Sequence, residues 1–221
     1  ETGYRFGFIR IGGIPSYKNT DGTTRSAGLT VANTVRLHDE YLYGLGEVPS
    51  SWPTEALRAQ VIAARGFAYN RAYSASGALR KRGTECDCTI EDGANAQVFV
   101  GWSKLAEAAG PRWQAAVDAS ETSDTTGQVV KYGDEIAQTF FSSATGGFTQ
   151  NNQDVWPGTP RAYLQSVEDP WSISDVVDQK IAAWQPRIRP QAFMANIFGL
   201  SEVHYLDLSN RYPSGALKSV T

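Results

Sequence analysis

Apolar and polar residues alternate along L-T-V-A-N-T-V-R-L, Leu29 to Leu37, the period-two pattern of a half-buried strand. Tyr4 to Ile11 alternates more loosely and reads as another strand, followed by a stretch rich in Gly, Pro, Ser and Asn that runs to Gly28. After Pro53 the period changes. Leu57, Val61, Ala64 and Ala68 recur at helical spacing, predicting a helix to about Tyr73, with Pro53 suited to its first position because its missing N–H costs nothing there. Ser74 to Arg82 is a loop whose basic cluster, Arg80-Lys81-Arg82, reads as a solvated face. Gly101–Ala109 and Trp113–Ser120 read as two more helices, and Gly127–Tyr132 with Glu135–Ser142 as a hairpin turned at Gly133-Asp134. A helical segment from Ser174 to Trp184 is closed by Pro186 and Pro190, and Leu217–Thr221 reads as a strand. The elements predict an α+β fold: a mixed, largely antiparallel sheet core packed with a few helices, in one domain spanning residues 1–221.

Composition narrows the function. The 221 residues, 41% hydrophobic and 19% charged, suffice for one sizeable core. A formal net charge of −3 supplies no basic field for nucleic acid, and no run of about 18 apolar residues is present to span a membrane. Glu1-Thr2-Gly3 reads as a start left after removal of an export signal, and the strand-like end as a C-terminus cut short. Six Trp and ten Tyr offer flat apolar faces that suit sugar rings, although most such rings belong to cores. Cys86 and Cys88 are the only cysteines; the pair is too short for easy, unstrained bridging, so no disulfide framework is expected. The two histidines, His38 and His204, lie far away in sequence, so a four-ligand zinc site at Cys86 and Cys88 is not expected either.

The segment Y-L-Y-G-L-G-E-V-P-S-S-W-P-T-E-A-L-R-A-Q-V-I-A-A-R, Tyr41 to Arg65, carries the chemistry. It sets Glu47 in a turn between a strand-like run and the strong helix. Gly44 and Gly46 bracket Leu45, and Pro49 biases Val48 toward an extended conformation, so Glu47 sits on a bent, constrained backbone. A carboxylate on such a loop suits acid–base chemistry, and a solvated loop acid is the plain alternative. A general acid must keep its proton near neutral pH. Val48, Trp52 and Tyr43 offer apolar surroundings that favour this, while the helix N-terminus at Pro53 opposes it; the sequence leaves the balance open. Glu55 fits the first turn of that helix as a cap or dipole partner. Arg65, on the flank of the apolar stripe, either orients substrate, the reading favoured here, or pairs structurally. No G-x-S-x-G elbow supports a serine hydrolase.

The chain resembles the SpoIID/LytB family of bacterial cell-wall proteins. The matching elements are Tyr41-Leu42-Tyr43-Gly44, Glu47-Val48-Pro49, Ser51-Trp52-Pro53, Glu55 through Arg65, Ala96-Gln97-Val98-Phe99-Val100-Gly101, and F-F-S-S-A-T-G-G-F-T-Q-N-N-Q-D-V-W from Phe140 to Trp156. The resemblance implies a secreted, wall-associated lytic transglycosylase that acts on peptidoglycan glycan strands lacking stem peptides. Its groove would lie beside the helix beginning near Pro53, with Glu47 as single general acid and base. Arg65, Gln97, Ser142, Ser143, Thr145 and Asp154 would bind substrate, with a loop cap as the plain account of Asp154 and a second carboxylate as the sharper one. The alternative from the same resemblance is a glycan-binding module that recruits or stimulates a wall amidase. Some relatives carry zinc near Cys86 and Cys88 through cysteine and histidine; this chain has no histidine in that block. Phe141 stands where the family commonly has Tyr, which removes a phenol hydroxyl.

Overall fold

The two alternating runs at the start of the chain pair with each other. The computed structural model describes residues 5–18, 22–80, 88–93, 96–156, 158–182 and 187–221. Its first strands are β1 (Phe8–Ile14), β2 (Tyr17–Lys18), β3 (Thr24–Arg25) and β4 (Gly28–Thr34). β1 runs antiparallel to β4 in a register from Phe8 opposite Thr34 to Ile14 opposite Gly28, and β2 pairs with β3. Ile9, Ile11, Leu29 and Val31 share one face of the β1–β4 ladder and remain exposed.

The chain then turns helical earlier than its pattern suggests. Asp39 accepts the Glu40 N–H at 2.6 Å and caps α1 (Glu40–Tyr43), so the strand-like Tyr41–Gly44 run is a helical turn; a local cap overrides the strand preference of two tyrosines. α2 (Thr54–Ala72) is the predicted helix. Pro53 stands one residue outside it as the cap position, and Leu57, Val61, Ala64 and Ala68 are fully buried. Gly101–Ala109 does not form a continuous helix. Gly101, at φ 60°, turns the chain into a short 3₁₀ helix, Trp102–Lys104. α3 (Gly110–Asp118) starts only at Gly110, with Pro111 in its first turn.

The core lies between these helices rather than on a sheet. Tyr41, Leu42, Leu45, Val48, Leu57 and Val61 pack with Trp113, Ala116 and Val117. Each fully buried large side chain among them contributes about 1.5–3 kcal/mol. The Trp113 indole N–H donates to the Leu42 carbonyl at 2.9 Å, joining α3 to α1. β5 (Glu121–Ser123) pairs with β6 (Thr126–Gly127), and β7 (Lys131–Tyr132) with β8 (Glu135–Ile136) about the expected Gly133-Asp134 turn. The fold is thus α+β, with antiparallel strands in separate two-stranded pairs among the described residues.

The chain divides into two compact units, Glu1–Phe141 and Ser142–Thr221, where the sequence read as a single domain. The second unit holds α4 (Asn152–Val155), a 3₁₀ turn at Pro170–Ile173, α5 (Gln179–Ala182) and α6 (Gln191–Phe198). α6 begins beyond Pro190, where the sequence pattern ended, and stops at Gly199, whose φ of 67° needs glycine. Of the predicted Ser174–Trp184 helix only α5 forms within the described residues, and Leu217 makes an isolated bridge to Arg211 instead of a strand.

Candidate functional site

The first two motif blocks meet along one short antiparallel contact. Leu45 bridges Phe99; the Gly46 N–H donates to the Val98 carbonyl at 2.9 Å, and the Val100 N–H to the Gly44 carbonyl at 2.8 Å. This ladder explains both glycines. A Cβ on Gly44 would lie 2.7 Å from Phe99 Cζ and 3.0 Å from Gly101 Cα, and one on Gly46 would lie 3.1 Å from Val100 Cγ1. Close approach of backbone to side chain is what excludes a larger residue; Gly44 itself has an ordinary φ of −91°.

Glu47 leaves the ladder half-buried, and its Oε1 accepts the Val98 N–H at 2.7 Å. Phe99, the next residue, donates its N–H to Asp92 Oδ1 at 2.8 Å. Successive N–H groups of an extended segment point to opposite sides. The two carboxylates therefore sit on opposite edges of the 97–100 segment and do not face each other. Underneath, Gln97 is 1% exposed and accepts the Tyr41 hydroxyl through Oε1 at 2.8 Å. Burial, reinforced by the charges of Glu47 and Asp92, pushes the Tyr41 phenol up, so it stays a donor. The Tyr41 and Phe99 rings stack at 5.8 Å. Of the neighbours expected to surround Glu47, Val48 is buried and Trp52 is 45% exposed. The Tyr43 hydroxyl turns to Asp118 at 2.6 Å. Glu55 lies in the first turn of α2, where it pairs with Arg58 at 3.3 Å and makes no cap bond.

Sequence reading missed the groups that hold the turn after Glu47. Lys104, 1% exposed, donates through Nζ to the Val48 carbonyl at 2.6 Å and lies 3.3 Å from Glu107. The buried Ser50 hydroxyl donates to Glu107 Oε2 at 2.6 Å, and Arg112 donates to the Ser51 and Trp52 carbonyls at 3.2 and 2.9 Å. The one available signal was Lys104 falling at the start of an apparent helix that Gly101 breaks. Burial raises the Glu107 carboxyl, but the Ser50 hydroxyl and the Lys104 charge outweigh it and hold the group below its ordinary value of 4.5. A depressed acid stabilises the fold above its unfolded value, and that contribution is lost as pH falls through the lower folded one. The thermal midpoint is therefore expected to drop below about pH 4.5 by a component that Glu107→Gln lacks; parallel melting curves of the two proteins from neutral to acid pH check this.

Arg65 does not present a free guanidinium. It is 3% exposed and donates to the carbonyls of Gln128 at 2.7 Å, His38 at 3.1 Å and Ser120 at 3.4 Å, and to the Ser120 hydroxyl at 2.8 Å. Burial lowers its affinity for its proton, against the supporting charge of Glu121. A Cβ on Gly127 would lie 2.6 Å from Arg65 Cζ, so the β5–β6 hairpin closes directly over the guanidinium. These bonds supply the structural pairing that was the alternative to substrate orientation: the stripe flank, which suggested a groove, is roofed by the hairpin. Glu121 carries a carboxyl raised first by burial and then by Asp118 and Asp39, with His38 and Arg65 opposing.

Ser142, Ser143, Thr145 and Asp154 belong to the second unit. The Ser142 hydroxyl reaches the Ala144 carbonyl at 3.4 Å, and Ser143 is exposed. Thr145 donates to Asp169 at 2.8 Å beside Ser172, whose hydroxyl accepts the Gly147 N–H at 2.9 Å. Asp154 accepts the Asn151 side-chain amide at 2.7 Å in the first turn of α4, a contact between side chains and not a helix cap. Phe141 is 39% exposed. Cys88 is disulfide-bonded, contrary to the expectation drawn from the short spacing. Strain raises the cost of a closely spaced bridge without forbidding it. Cys86, Lys81 and Arg82 lie outside the described residues. Among the described residues no cluster of three His, Cys, Asp or Glu side chains is placed to hold a metal ion, and no helix is long and apolar enough to cross a membrane. A cavity of about 330 Å³ opens at the C-terminal end of α2, walled by Asn33, Arg36, Tyr41, Tyr73 and Cys88, and Glu47 does not line it.

Residues 25–132 match the SpoIID family, described as Stage II sporulation protein. The chain is similar to Stage II sporulation protein D of Bacillus subtilis (strain 168), 27% identical over 162 residues that cover 72% of this chain and 43% of that protein. The protein of the same description from Bacillus amyloliquefaciens matches at 27% over 162 residues, with 72% and 43% covered. The Amidase enhancer of Bacillus subtilis (strain 168) is 31% identical over 110 residues, 50% of this chain and 12% of that protein. The chain thus spans less than half the length of these relatives. Glu47, Arg65 and Gln97 lie inside the family match; Ser142, Ser143, Thr145 and Asp154 lie beyond it.

Proposed function

From the match of residues 25–132 to the SpoIID family, we propose that the chain acts on the glycan of the bacterial cell wall as a lytic transglycosylase. The observation that carries this reading is the placement of Glu47. One carboxylate stands half-exposed at the end of a rigid ladder, oriented by the Val98 N–H, and Asp92 is turned to the opposite edge of the same segment. A glycosidase of the usual kind needs two carboxyl groups flanking the scissile bond, roughly 5–9.5 Å apart. An enzyme with one must draw its nucleophile from the substrate.

The reaction that fits is intramolecular. The Glu47 carboxyl donates its proton to the glycosidic oxygen as the bond from muramoyl C1 breaks, releasing N-acetylglucosamine with a free 4-hydroxyl. The resulting carboxylate then takes the proton of the muramoyl 6-hydroxyl as that oxygen bonds C1. The product is a 1,6-anhydro end, no water is consumed and Glu47 returns to its protonated state. The chemistry asks for no cofactor. Substrate would be glycan lacking stem peptides, met in the wall after export. Digestion of denuded glycan followed by mass spectrometry tests the reading: 1,6-anhydromuramoyl ends are expected, and reducing muramic acid ends would make the protein a hydrolase. Binding without cleavage would favour the second reading, a glycan-binding module acting with a wall amidase, which the similarity to an Amidase enhancer supports.

A further inference from the structure

The turn that carries Glu47 is fixed at both of its flanking residues, on one side from within the matching blocks and on the other from outside them. On one side the Gly46 N–H is held by Val98. On the other, the Val48 carbonyl is held by an ammonium group with 1% exposure, a costly device for a turn that has no need of charge. Removing a lysine from water is unfavourable unless its donors are used well. Here Nζ faces the Val48 carbonyl at 2.6 Å, both oxygens of Glu107 at 3.3 Å and the Trp113 ring at 5.5 Å. Glu107 in turn accepts the Ser50 hydroxyl at 2.6 Å. The result ties residues 48 and 50 of the turn to a single point on the chain after Gly101.

We propose that Lys104, braced by Glu107 and Ser50, is a positioning residue for the Glu47 carboxylate: it sets the Val48–Pro49 peptide, one residue beyond Glu47, and thereby keeps the carboxylate on the Val98 N–H and aimed outward. A geometric demand of this kind is severe, since a misplacement of about 1 Å costs about 10²-fold in rate. The proposal rests on Glu47 being the acid–base group, and it reaches residues that neither the motifs nor the relatives' names single out. It also accounts for a charged side chain buried beside the Trp113 ring: an apolar residue could fill the space but would leave the Val48 carbonyl without the Lys104 donor.

The test uses the full chain and two variants, Lys104→Met and Ser50→Ala. Rates on denuded glycan are expected to fall by about 10²-fold in kcat for Lys104→Met and several-fold for Ser50→Ala, with KM little changed. In nitrogen–proton spectra the Val98 amide, whose proton Glu47 accepts, is expected to shift and to exchange with solvent faster in both, while the amides of α2 keep wild-type protection. A wild-type kcat and an unmoved Val98 amide in a folded variant overturn the proposal. If Lys104→Met does not fold, Ser50→Ala decides by the same two readouts. If the wild-type protein cleaves no glycan, the acid–base reading fails and the Val98 amide alone decides whether Lys104 positions Glu47.

Discussion

Glu47→Gln is expected to keep the fold and to lose cleavage of denuded glycan by at least about 10²-fold, the lower end of what a positioned acid–base group contributes. The swap preserves shape. A glutamine oxygen can still accept the Val98 N–H that Glu47 accepts at 2.7 Å, and Gly44, Gly46 and the Lys104 anchor are untouched, so an unchanged melting midpoint should accompany the loss. The amide has no proton to give a leaving oxygen and no basic oxygen to take one from a sugar hydroxyl. Single-turnover assays read by anhydro product check it, and a variant with the wild-type rate would remove Glu47 from the chemistry.

Arg65→Met is expected to act in the opposite way, on stability and not on turnover. The substitution keeps much of the volume and removes every donor. Three carbonyls, His38, Ser120 and Gln128, and the Ser120 hydroxyl lose a charged partner, and Glu121 loses its supporting charge. The Ser120 carbonyl keeps the Gln128 N–H at 2.8 Å; each acceptor that is orphaned costs about 1–3 kcal/mol, and because they share one donor group the total should be about 3–5 kcal/mol. For a unit of this size that is a fall of roughly 10 °C or more in midpoint. Below its lowered midpoint the variant should turn over glycan at the wild-type rate. A large loss of kcat with an unmoved midpoint would restore the substrate-orienting role.

The legible parts of this molecule were those where one physical effect dominates. The α2 stripe was readable because Leu57, Val61, Ala64 and Ala68 all do the same thing, and the β7–β8 turn because Gly133, at φ 60°, supplies what a tight hairpin needs. α1 was not readable: two tyrosines argue for a strand, and the decision rests on the Asp39 cap and on burial of Tyr41 and Leu42 against other helices. α6 was missed because Pro190 read as an end, whereas it opens the helix.

At the site, the motif blocks pointed to Glu47 and Gln97, which share the strand contact between residues 44–47 and 97–100, but Gln97, expected to bind substrate, is buried and accepts the Tyr41 hydroxyl. The supports did not show. Lys104 and Glu107 fell within the helix expected over Gly101–Ala109, and only tertiary structure turns Lys104 inward. Arg65 was ambiguous for the reverse reason, since its surroundings come from the β5–β6 hairpin, whose small polar residues carry little pattern of their own.

Trp113 offers a way to watch this arrangement without substrate. It is fully buried, whereas Trp52, Trp156 and Trp171 are 45%, 49% and 76% exposed. Collisional quenchers such as acrylamide reach the exposed indoles and spare Trp113. Among these four rings the emission that survives quenching is therefore enriched in Trp113, whose N–H is bonded to the Leu42 carbonyl and whose face lies 5.5 Å from the Lys104 ammonium. Its wavelength should respond to that neighbouring charge. Loosening of the joint between α1 and α3 would admit quencher to this ring before the chain unfolds, giving an optical signal for the packing beneath the Glu47 turn.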